Sequence, residues 1–285
     1  MAVRRPITWV DVFTATPLTG NGLAVVHDAD GIDDDTMLAF ARETRLSETT
    51  FIQSSGEGAD YRNRIWTMAG EIAFAGHPSL GTAVAVARAR GTRNASFVQE
   101  TIAGRQPVEV RLGDEERARA SMLQEPPEFA AEAPAGEVMP VAGLFGSDGD
   151  PRFPPQVVST GIKHLIAPVR AEALDRAAPA RADLRALLEP LGALVLYLVA
   201  FDPAAGTARA RGFFLDPAGV TEDPATGSAA GPLLAYLHER AGTEELTVHQ
   251  GAQIGRPGVI ECRWEEDRPR VAGNVVVVAE GHVTF

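Results

Sequence analysis

The sequence predicts an α+β protein made of two similar lobes, and three observations carry that prediction. Two stretches begin with glycine and continue as Ala-rich amphipathic runs, at residues 76–83 and 227–231. Each run ends at a further glycine, Gly91 and Gly242, at the same distance from its start. Strand-like and helix-like segments precede both runs in the same order. The separation between the two starts, residue 76 and residue 227, indicates a duplicated lobe, because the repeats of a solenoid are much shorter.

In the first half, the sequence predicts strands and one further helix before the glycine-opened helix, and three strands after it. Residues 7–13 alternate between apolar and polar side chains, residues 16–22 supply turn residues, and residues 23–27 return as the second strand of a hairpin. A helix is expected next, because acidic residues open a run with apolar side chains on one face. That helix covers residues 33–42, and further strands are expected at 49–53, 62–67, 97–100, 107–112 and 118–124.

The second half is expected to repeat this order after a connector. Residues 126–155 show little periodicity and are rich in Pro, Gly, Ala and Glu, which is typical of a connector rather than a core element. We therefore place the first lobe at residues 1–125 and the second at 126–273. The second lobe is expected to hold a helix at 181–189 and strands at 156–160, 164–169, 194–201, 208–214, 246–250, 259–264 and 271–279.

Composition excludes several classes of partner and site. The chain has 285 residues, 45% of them hydrophobic, which is enough for two medium-sized cores. A net charge of −12 argues against a nucleic-acid partner. The single cysteine, Cys262, excludes an intrachain disulfide and suits a reducing cytoplasm. Because no stretch approaches the roughly 20 apolar residues that span a bilayer, we expect no membrane segment.

The two glycine-opened helices indicate the kind of ligand. A helix start presents backbone N–H groups that have no acceptor inside the helix, and such ends bind anions. Gly76 and Gly227 would begin these helices, with Ser228 directly after Gly227. If the two halves face each other, a small acidic molecule held between the helix starts is the expected ligand, and its chemistry would need a titratable side chain nearby.

Glu48 is the first candidate for that side chain. It stands at the start of a β-branched run, whereas the matching segment of the second half, residues 193–197, has no carboxylate. The carboxyl could emerge toward the helix start at Gly76, and an apolar wall such as Phe51 would raise its pKa and suit it to give and take a proton near neutral pH. The alternative is a solvated loop acid, the usual state of Glu.

Three more residues stand beside the helix starts. His77 either handles a proton or an anion there, or only caps the helix. Asp223 either borders the ligand or belongs to a turn, and Ser228 either contacts the ligand or is the N-cap. His164 is a weaker candidate, better explained as a strand residue. No set of His, Asp and Glu has metal-site spacing, so we expect no metal.

Nucleotide cofactors find no support in the motifs. The chain has no phosphate loop with Gly-Lys-Ser/Thr, no Gly-x-Ser-x-Gly elbow and no Gly-x-Gly-x-x-Gly after a strand. Cofactor-free proton transfer is therefore the simplest enzymatic interpretation.

Five ordered motifs together resemble the PhzF-like phenazine-biosynthesis protein family, and the match covers almost the whole chain. They are Asp11-Val12-Phe13 with Gly20-Asn21-Gly22, Leu46-Ser47-Glu48-Thr49-Thr50-Phe51, Phe74-Ala75-Gly76-His77-Pro78-Ser79-Leu80-Gly81-Thr82, Glu222-Asp223-Pro224-Ala225-Thr226-Gly227-Ser228-Ala229, and Gln250-Gly251 through Gly255-Arg256-Pro257.

The resemblance implies a diaminopimelate-epimerase-like fold, in which each lobe is a mixed sheet or barrel curled round a central helix and the active site lies between the lobes. In a member that isomerises trans-2,3-dihydro-3-hydroxyanthranilate, the glutamate of the Ser-Glu-Thr-Thr-Phe motif moves a proton. That position is Glu48 here, with His77, Asp223, Ser228 and the backbone of Gly76 around the substrate. The resemblance also implies a homodimer and a first lobe completed by residues 274–285.

Racemases of similar architecture use two facing thiols, one at each helix start. The corresponding positions here are Ala75 and Thr226, so a two-thiol mechanism is excluded. The expected function is thus a cofactor-free isomerase of a small cyclic or amino-acid-like carboxylate, with Glu48 as general acid and base. The alternative is a noncatalytic carboxylate-binding or regulatory protein on the same fold. Four polar groups beside the helix starts favour the enzyme, because a binding protein needs no titratable group facing its ligand.

Overall fold

The structure is a computed structural model that describes residues 3–114, 116–217 and 219–285. Four residues lie outside the described part of the chain. They are residues 1, 2 and 115 of the predicted first lobe and residue 218 of the predicted second lobe. Contacts between Cα atoms divide the chain into two compact units. Unit 1 comprises Met1–Met122 with Ala272–Phe285, and unit 2 comprises Leu123–Val271.

The elements follow the predicted order, with most boundaries shifted by one to three residues. In the first part of the chain they are β1 Arg4–Val12, β2 Asn21–Val26, α1 Asp34–Thr44, β3 Glu48–Gln53, β4 Tyr61–Thr67, β5 Gly70–Ile72, α2 Gly76–Ala89, β6 Asn94–Thr101, β7 Gly104–Leu112 and β8 Arg117–Leu123. They continue as β9 Glu128–Glu132, α3 Ala135–Val141, β10 Gln156–Ser159, β11 Lys163–Pro168, α4 Ala171–Leu174, α5 Arg181–Leu191, β12 Val195–Asp202, β13 Thr207–Asp216, β14 Gly219–Asp223, α6 Gly227–Ala241, β15 Glu245–Gln250, β16 Gly258–Glu265 and β17 Arg268–Thr284.

Unit 1 is a closed barrel of eight strands. The ring runs β1, β2, β3, β4, β6, β7, β8 and β17, and β17 returns to β1 through antiparallel pairs from Arg4↔Thr284 to Val12↔Val275. The β2–β3 and β4–β6 pairs are parallel and the other pairs with a recorded register are antiparallel, so the sheet is mixed. Because β17 pairs with both β1 and β8, this ring of strands has no unpaired edge among the described residues.

The helix α2 runs through this barrel. It packs against β1, β2, β3, β4, β6 and β7, and its residues from Gly76 to Ala87 are buried. Small side chains allow the close approach. A Cβ added at Gly81 would lie 2.7 Å from Leu23 Cδ2 and 2.9 Å from Val12 Cγ2. The sequence Gly-Thr-Ala-Val in this helix is therefore dictated by the space inside the barrel.

Unit 2 repeats the pairing of unit 1. The pairs β10–β11, β11–β12, β12–β13, β13–β15 and β15–β16 have the same order and direction as β1–β2, β2–β3, β3–β4, β4–β6 and β6–β7. The helix α6 packs against β10, β11, β15 and β16, so the strands at both ends of this series contact one helix. The prediction of an α+β fold with two similar lobes, each curled round a central helix, is confirmed.

The interpretation of residues 126–155 as a connector without core elements was wrong. This segment contains β9, which pairs with β10, and α3, whose Val138 and Met139 are fully buried. Both side chains belong to a core cluster with Leu165, Leu174 and Leu184. The many Pro, Gly and Ala residues hid a seven-residue helix that contributes two large apolar side chains to unit 2.

Two short strands were also absent from the prediction, β5 and β14. They occupy equivalent places, since β5 pairs with β4 and β14 pairs with β13, and each leads into a central helix. Among the described residues, no helix is long and apolar enough to cross a membrane.

Candidate functional site

The carboxyl of Glu48 lies beside the start of α2 in unit 1. Glu48 is the first residue of β3, and Thr50 on the same face of this strand bonds the Thr82 hydroxyl of α2 at 2.8 Å. The Glu48 Oε2 atom lies 3.4 Å from His77 Nε2. Its side chain is 17% exposed, which does not fit a solvated loop acid. The carboxyl therefore points toward the helix start, as the sequence predicts.

The expected apolar wall from Phe51 was wrong. Successive side chains of a strand point to opposite faces, so Glu48 and Phe51 lie on different sides of β3. Phe51 packs against Phe40 of α1 and against Phe285, with ring centroids at 6.2 and 6.5 Å. It belongs to the cluster between the barrel and α1, together with Met37. The neighbour of Glu48 is an imidazole rather than a phenyl ring.

His77 is the second residue of α2, whose N-cap is Ala75, so the interpretation of His77 as the helix cap was wrong. The Asn21 amide nitrogen lies 3.2 Å from His77 Nδ1 and donates to it, because an amide nitrogen has no acceptor capacity. The ring proton is then on Nε2, which faces Glu48. Burial lowers the pKa of His77 to about 3, so the ring is neutral near pH 7. Because the ring is neutral, the contact between Glu48 and His77 is not an ion pair.

The first turn of α2 adds backbone groups at the same place. Gly76 begins the helix, and Ser79 N–H, which donates to Ala75 O at 3.3 Å, makes the first bond that closes the helix. The N–H groups of Gly76 and His77 precede that bond and have no acceptor within the helix. This geometry suits an anionic or carbonyl oxygen at the helix start.

Unit 2 places Asp223, Gly227 and Ser228 together at the start of α6. Asp223 is the last residue of β14 and is 7% exposed, so its assignment to a turn was wrong. The helix begins at Gly227 and its N-cap position is Thr226, so Ser228 is not the N-cap. Ser228 is the second helical residue, the place that His77 holds in α2.

A buried polar network around Asp223 is the part of the site that sequence reasoning missed. The Thr226 hydroxyl donates to Asp223 Oδ2 at 2.7 Å, and the Gln250 amide bonds Thr226, the Asp223 backbone and the Tyr197 hydroxyl. Thr226 and Gln250 both stand in the motifs quoted above. Their proximity depends on pairing of β13 with β15, which the motifs do not encode.

His164 and Cys262 lie inside unit 2. His164 is fully buried in β11, as expected for a strand residue, and burial lowers its pKa to about 3 although the ring contacts the Ser228 backbone. Cys262 is buried in β16, where burial raises the pKa of its thiol. Ala75 and Thr226 are the N-cap residues of the two central helices, the positions where a two-thiol enzyme would need cysteines.

Within the described ranges of the chain, no three His, Cys, Asp or Glu residues are grouped so that they could hold a metal ion.

Comparisons with known proteins place this arrangement in a family. A family model described as "Phenazine biosynthesis-like protein" matches residues 10–281. The chain is 35% identical over 282 residues to trans-2,3-dihydro-3-hydroxyanthranilate isomerase of Pseudomonas aeruginosa, covering 95% of this chain and 96% of that protein. Other relatives are named as uncharacterized isomerases, among them one from Salmonella typhimurium at 31% identity, covering 99% of this chain and 100% of that protein.

Solved structures agree. A predicted epimerase from Pseudomonas aeruginosa is similar with a TM-score of 0.87 and 36% identity, covering 98% of this chain and 99% of that one. A probable proline racemase from Agrobacterium radiobacter has a TM-score of 0.64 at 15% identity, with 98% and 92% of the two chains covered, and shows the fold alone. The names of the relatives support an isomerase. With the family model matching from residue 10 to residue 281, the chain belongs to the phenazine biosynthesis-like (PhzC–PhzF) protein family.

Proposed function

We propose that this protein is a cofactor-independent isomerase that moves a proton on a small cyclic or amino-acid-like carboxylate, with Glu48 as general acid and base. The observation that carries the proposal is the Glu48–His77 pair, in which a largely buried carboxyl lies 3.4 Å from the Nε2 of a neutral imidazole at the start of a central helix. A carboxyl group held in this way is suited to take a proton from one atom and return it to another.

The proton balance of the proposed reaction needs only this one group. The Glu48 carboxylate removes a proton from a carbon of the substrate, and the electron pair shifts along the substrate's π system. The carboxylic acid, whose proton exchanges with water before transfer, returns a proton at a second carbon. The Nε2 atom of His77, 3.4 Å from Glu48 Oε2, limits the positions that the carboxyl can take. Glu48 ends the cycle in the state in which it began, so no external acid, base or oxidant enters.

The other predicted residues are proposed to hold the substrate. The N–H groups at Gly76, Gly227 and Ser228 suit carboxylate oxygens, because helix starts favour negative charge. Asp223 accepts a hydrogen bond from a hydroxyl or amino group of the substrate. The relative from Pseudomonas aeruginosa, named for trans-2,3-dihydro-3-hydroxyanthranilate, supports this class of substrate, since that compound joins a ring, an amino group and a carboxylate.

Homodimer formation and a cytoplasmic location stay predictions, as does the absence of a nucleic-acid partner.

The experiment that tests the proposal is proton exchange in D2O. The protein is incubated with trans-2,3-dihydro-3-hydroxyanthranilate and a panel of related cyclic and amino carboxylates, and NMR follows deuterium entering the carbon skeleton. The isomerase incorporates deuterium into at least one compound at a rate above the buffer blank. The same panel is scored for a rise in melting temperature, which reports binding to the folded protein.

The two hypotheses separate in this experiment. A compound that stabilises the protein and exchanges its carbon-bound protons supports the isomerase. Compounds that stabilise the protein without any exchange across the whole panel would support the noncatalytic carboxylate-binding alternative and count against the proposed reaction.

A further inference from the structure

The Asp223 carboxyl stands at the end of a buried chain of hydrogen bonds in unit 2. The chain runs from the Tyr197 hydroxyl through the Gln250 amide and the Thr226 hydroxyl to Asp223 Oδ2. The four residues are 0%, 2%, 5% and 7% exposed, in that order. Hydrogen bonds with so little access to water keep a fixed geometry, because an unpaired polar group there would carry a desolvation penalty.

The backbone fixes the orientation of the Gln250 amide. Its Oε1 accepts from Thr226 N–H at 3.1 Å, and a backbone N–H can only donate. Its Nε2 donates to the Asp223 carbonyl oxygen at 2.8 Å, and a carbonyl can only accept. These two bonds exclude the flipped amide. The second donor of Nε2 then points at Thr226 Oγ1, 2.8 Å away, and the second lone pair of Oε1 accepts from the Tyr197 hydroxyl at 2.9 Å.

The last bond of this series runs from Thr226 to Asp223. Thr226 Oγ1 accepts from Gln250 Nε2 at 2.8 Å and donates its single proton to Asp223 Oδ2 at 2.7 Å. Oδ2 is thereby an acceptor and cannot itself carry a proton toward Thr226. A hydroxyl that donates to a charged carboxylate forms a stronger hydrogen bond than one between neutral groups.

We propose that Thr226 and Gln250 are positioning residues that hold Asp223 as a hydrogen-bond acceptor of fixed orientation, through a donor chain that begins at Tyr197. This inference rests on the proposed function only in assuming that Asp223 meets a donor group of the substrate. It predicts that substrates present an amino or hydroxyl hydrogen to Asp223 rather than a second acceptor.

Two equivalent positions of unit 1 lack the groups that form this chain of hydrogen bonds. In unit 1 the position of Thr226 is Ala75, which has no hydroxyl. The position of Tyr197 is Thr50, which bonds Thr82 instead. This chain of hydrogen bonds therefore occurs in unit 2, which carries Asp223, and is missing at the equivalent place in unit 1. This difference favours a role specific to the Asp223 carboxyl.

Among the described residues, the ionisable groups on strands near Asp223 include Tyr197, Cys262 and Glu222. Burial raises the pKa of Tyr197 and of Cys262, so both stay neutral across the acid range. Glu222 on β14 is held by a bidentate bond from Arg211 on β13, with atoms 3.0 and 2.7 Å apart. In β15, Gln250 carries no charge, and neither do the residues of the first turn of α6.

The test is a titration of the Asp223 carboxyl in the full-length protein. Aspartate is labelled with 13C at its carboxyl carbon, and the Asp223 signal is identified by its loss in Asp223→Asn. Thr226→Val, which removes the donor, is expected to move the midpoint to higher pH by about one unit, as for the loss of one hydrogen bond to a charged group. Thr226→Ser keeps a hydroxyl and is expected to restore the wild-type midpoint.

Two controls separate positioning from general loss of stability. Thr82→Val removes a comparable buried hydroxyl in unit 1 and is expected to leave the Asp223 midpoint unchanged. Tyr197→Phe removes only the first donor and is expected to give a smaller shift than Thr226→Val in the same direction. In the wild-type protein, a slowly exchanging Thr226 hydroxyl proton is expected in the NMR spectrum, and this readout holds even if a variant does not fold.

The inference is overturned if Thr226→Val titrates like the wild type, or if the hydroxyl proton of Thr226 exchanges at the rate of a solvated hydroxyl. Because these readouts need no substrate, a protein without isomerase activity can still show the chain. Conversely, an active isomerase with an unchanged titration in Thr226→Val would overturn the positioning role and leave the proposed function intact.

Discussion

Units 1 and 2 have the same strand order, and each has its own central helix. They differ in the polar groups beside that helix. Unit 1 has Glu48 at the start of its third barrel strand, and the equivalent residue of unit 2 is Val195, as the pairs Leu23↔Glu48 and His164↔Val195 show. Unit 2 instead has Asp223, where unit 1 has Ile72. The two units thus share one architecture and differ in a few side chains at the helix start, which are the proposed site residues.

Some features that recur in both units have a structural explanation. Arg64 binds Glu71 across β4 and β5, and Arg211 binds Glu222 across β13 and β14, so each arginine ties down the short strand that leads into a central helix. A feature present in both units is best explained by the architecture that the units share. A feature present in one only, such as Glu48 or the hydrogen bonds from Gln250, is the better candidate for function.

The largest effect is expected at these two arginines. Arg211 also donates to the carbonyl oxygens of Leu174 and Ala177, whereas the further partner of Arg64 is the exposed Asp34. Arg211→Met leaves Glu222 buried without its cation, which costs about 3–5 kcal/mol. We expect Arg64→Met to cost about 1–2 kcal/mol less, because Arg211→Met also removes bonds to backbone carbonyl oxygens. Urea unfolding of both variants measures the difference, and equal losses would contradict this ranking.

A smaller effect is expected at the cross-strand pairs beside the helix starts. Unit 1 pairs a small residue with a large one, Thr50↔Ile65, and unit 2 pairs Tyr197↔Gly212. A Cβ at Gly212 would lie 2.8 Å from Thr226 Oγ1 and 3.3 Å from Gln250 Nε2.

Gly212→Ala should therefore destabilise the protein by about 1–3 kcal/mol through overpacking. The matched change Ile65→Val should cost about 0.5–1.5 kcal/mol as a plain loss of one methyl group. Thermal unfolding compares the two variants. A neutral Gly212→Ala would show that the hydrogen bonds around Thr226 tolerate displacement.

The smallest effect concerns one buried histidine in each unit. Burial lowers the pKa of both His77 and His164 to about 3, below the value near 6.5 of an unfolded chain. The unfolded state therefore binds more protons between pH 6.5 and 3, and stability that is fully present above pH 6.5 is lost as the pH falls through this range. Each ring contributes a slope of about 1.4 kcal/mol per pH unit.

Between pH 6 and pH 5, His77→Leu and His164→Leu should each reduce the loss of unfolding free energy by about 1 kcal/mol relative to the wild type. Urea unfolding at the two pH values gives the slopes. A variant whose slope equals that of the wild type would mean that its histidine is already protonated, or exposed, in the folded protein.

The sequence predicted most strands and the two central helices well, because the periodic patterns that indicate them are local. Alternation marked most strands, glycines marked both ends of each central helix, and the motifs placed Glu48 and His77 at one helix start. What it missed depends on pairing. Whether Phe51 or His77 borders Glu48 is decided by strand alternation and by α2 inside the barrel, and the contact of Gln250 with Thr226 needs strand β15 beside β13. The buried helix in residues 126–155 was hidden by its Pro, Gly and Ala content.

The central claim, that Glu48 carries the proton, is tested most directly by the Glu48→Gln variant. Its deuterium exchange into a substrate of the wild-type protein is measured together with the dissociation constant for that substrate. The exposed carboxyl Glu43 at the end of α1 provides the control Glu43→Gln. We expect exchange by Glu48→Gln to fall by at least ~100-fold, as for loss of a general acid–base group, while binding changes only a few-fold and Glu43→Gln behaves as wild type. Exchange by Glu48→Gln within tenfold of the wild-type rate would contradict the account.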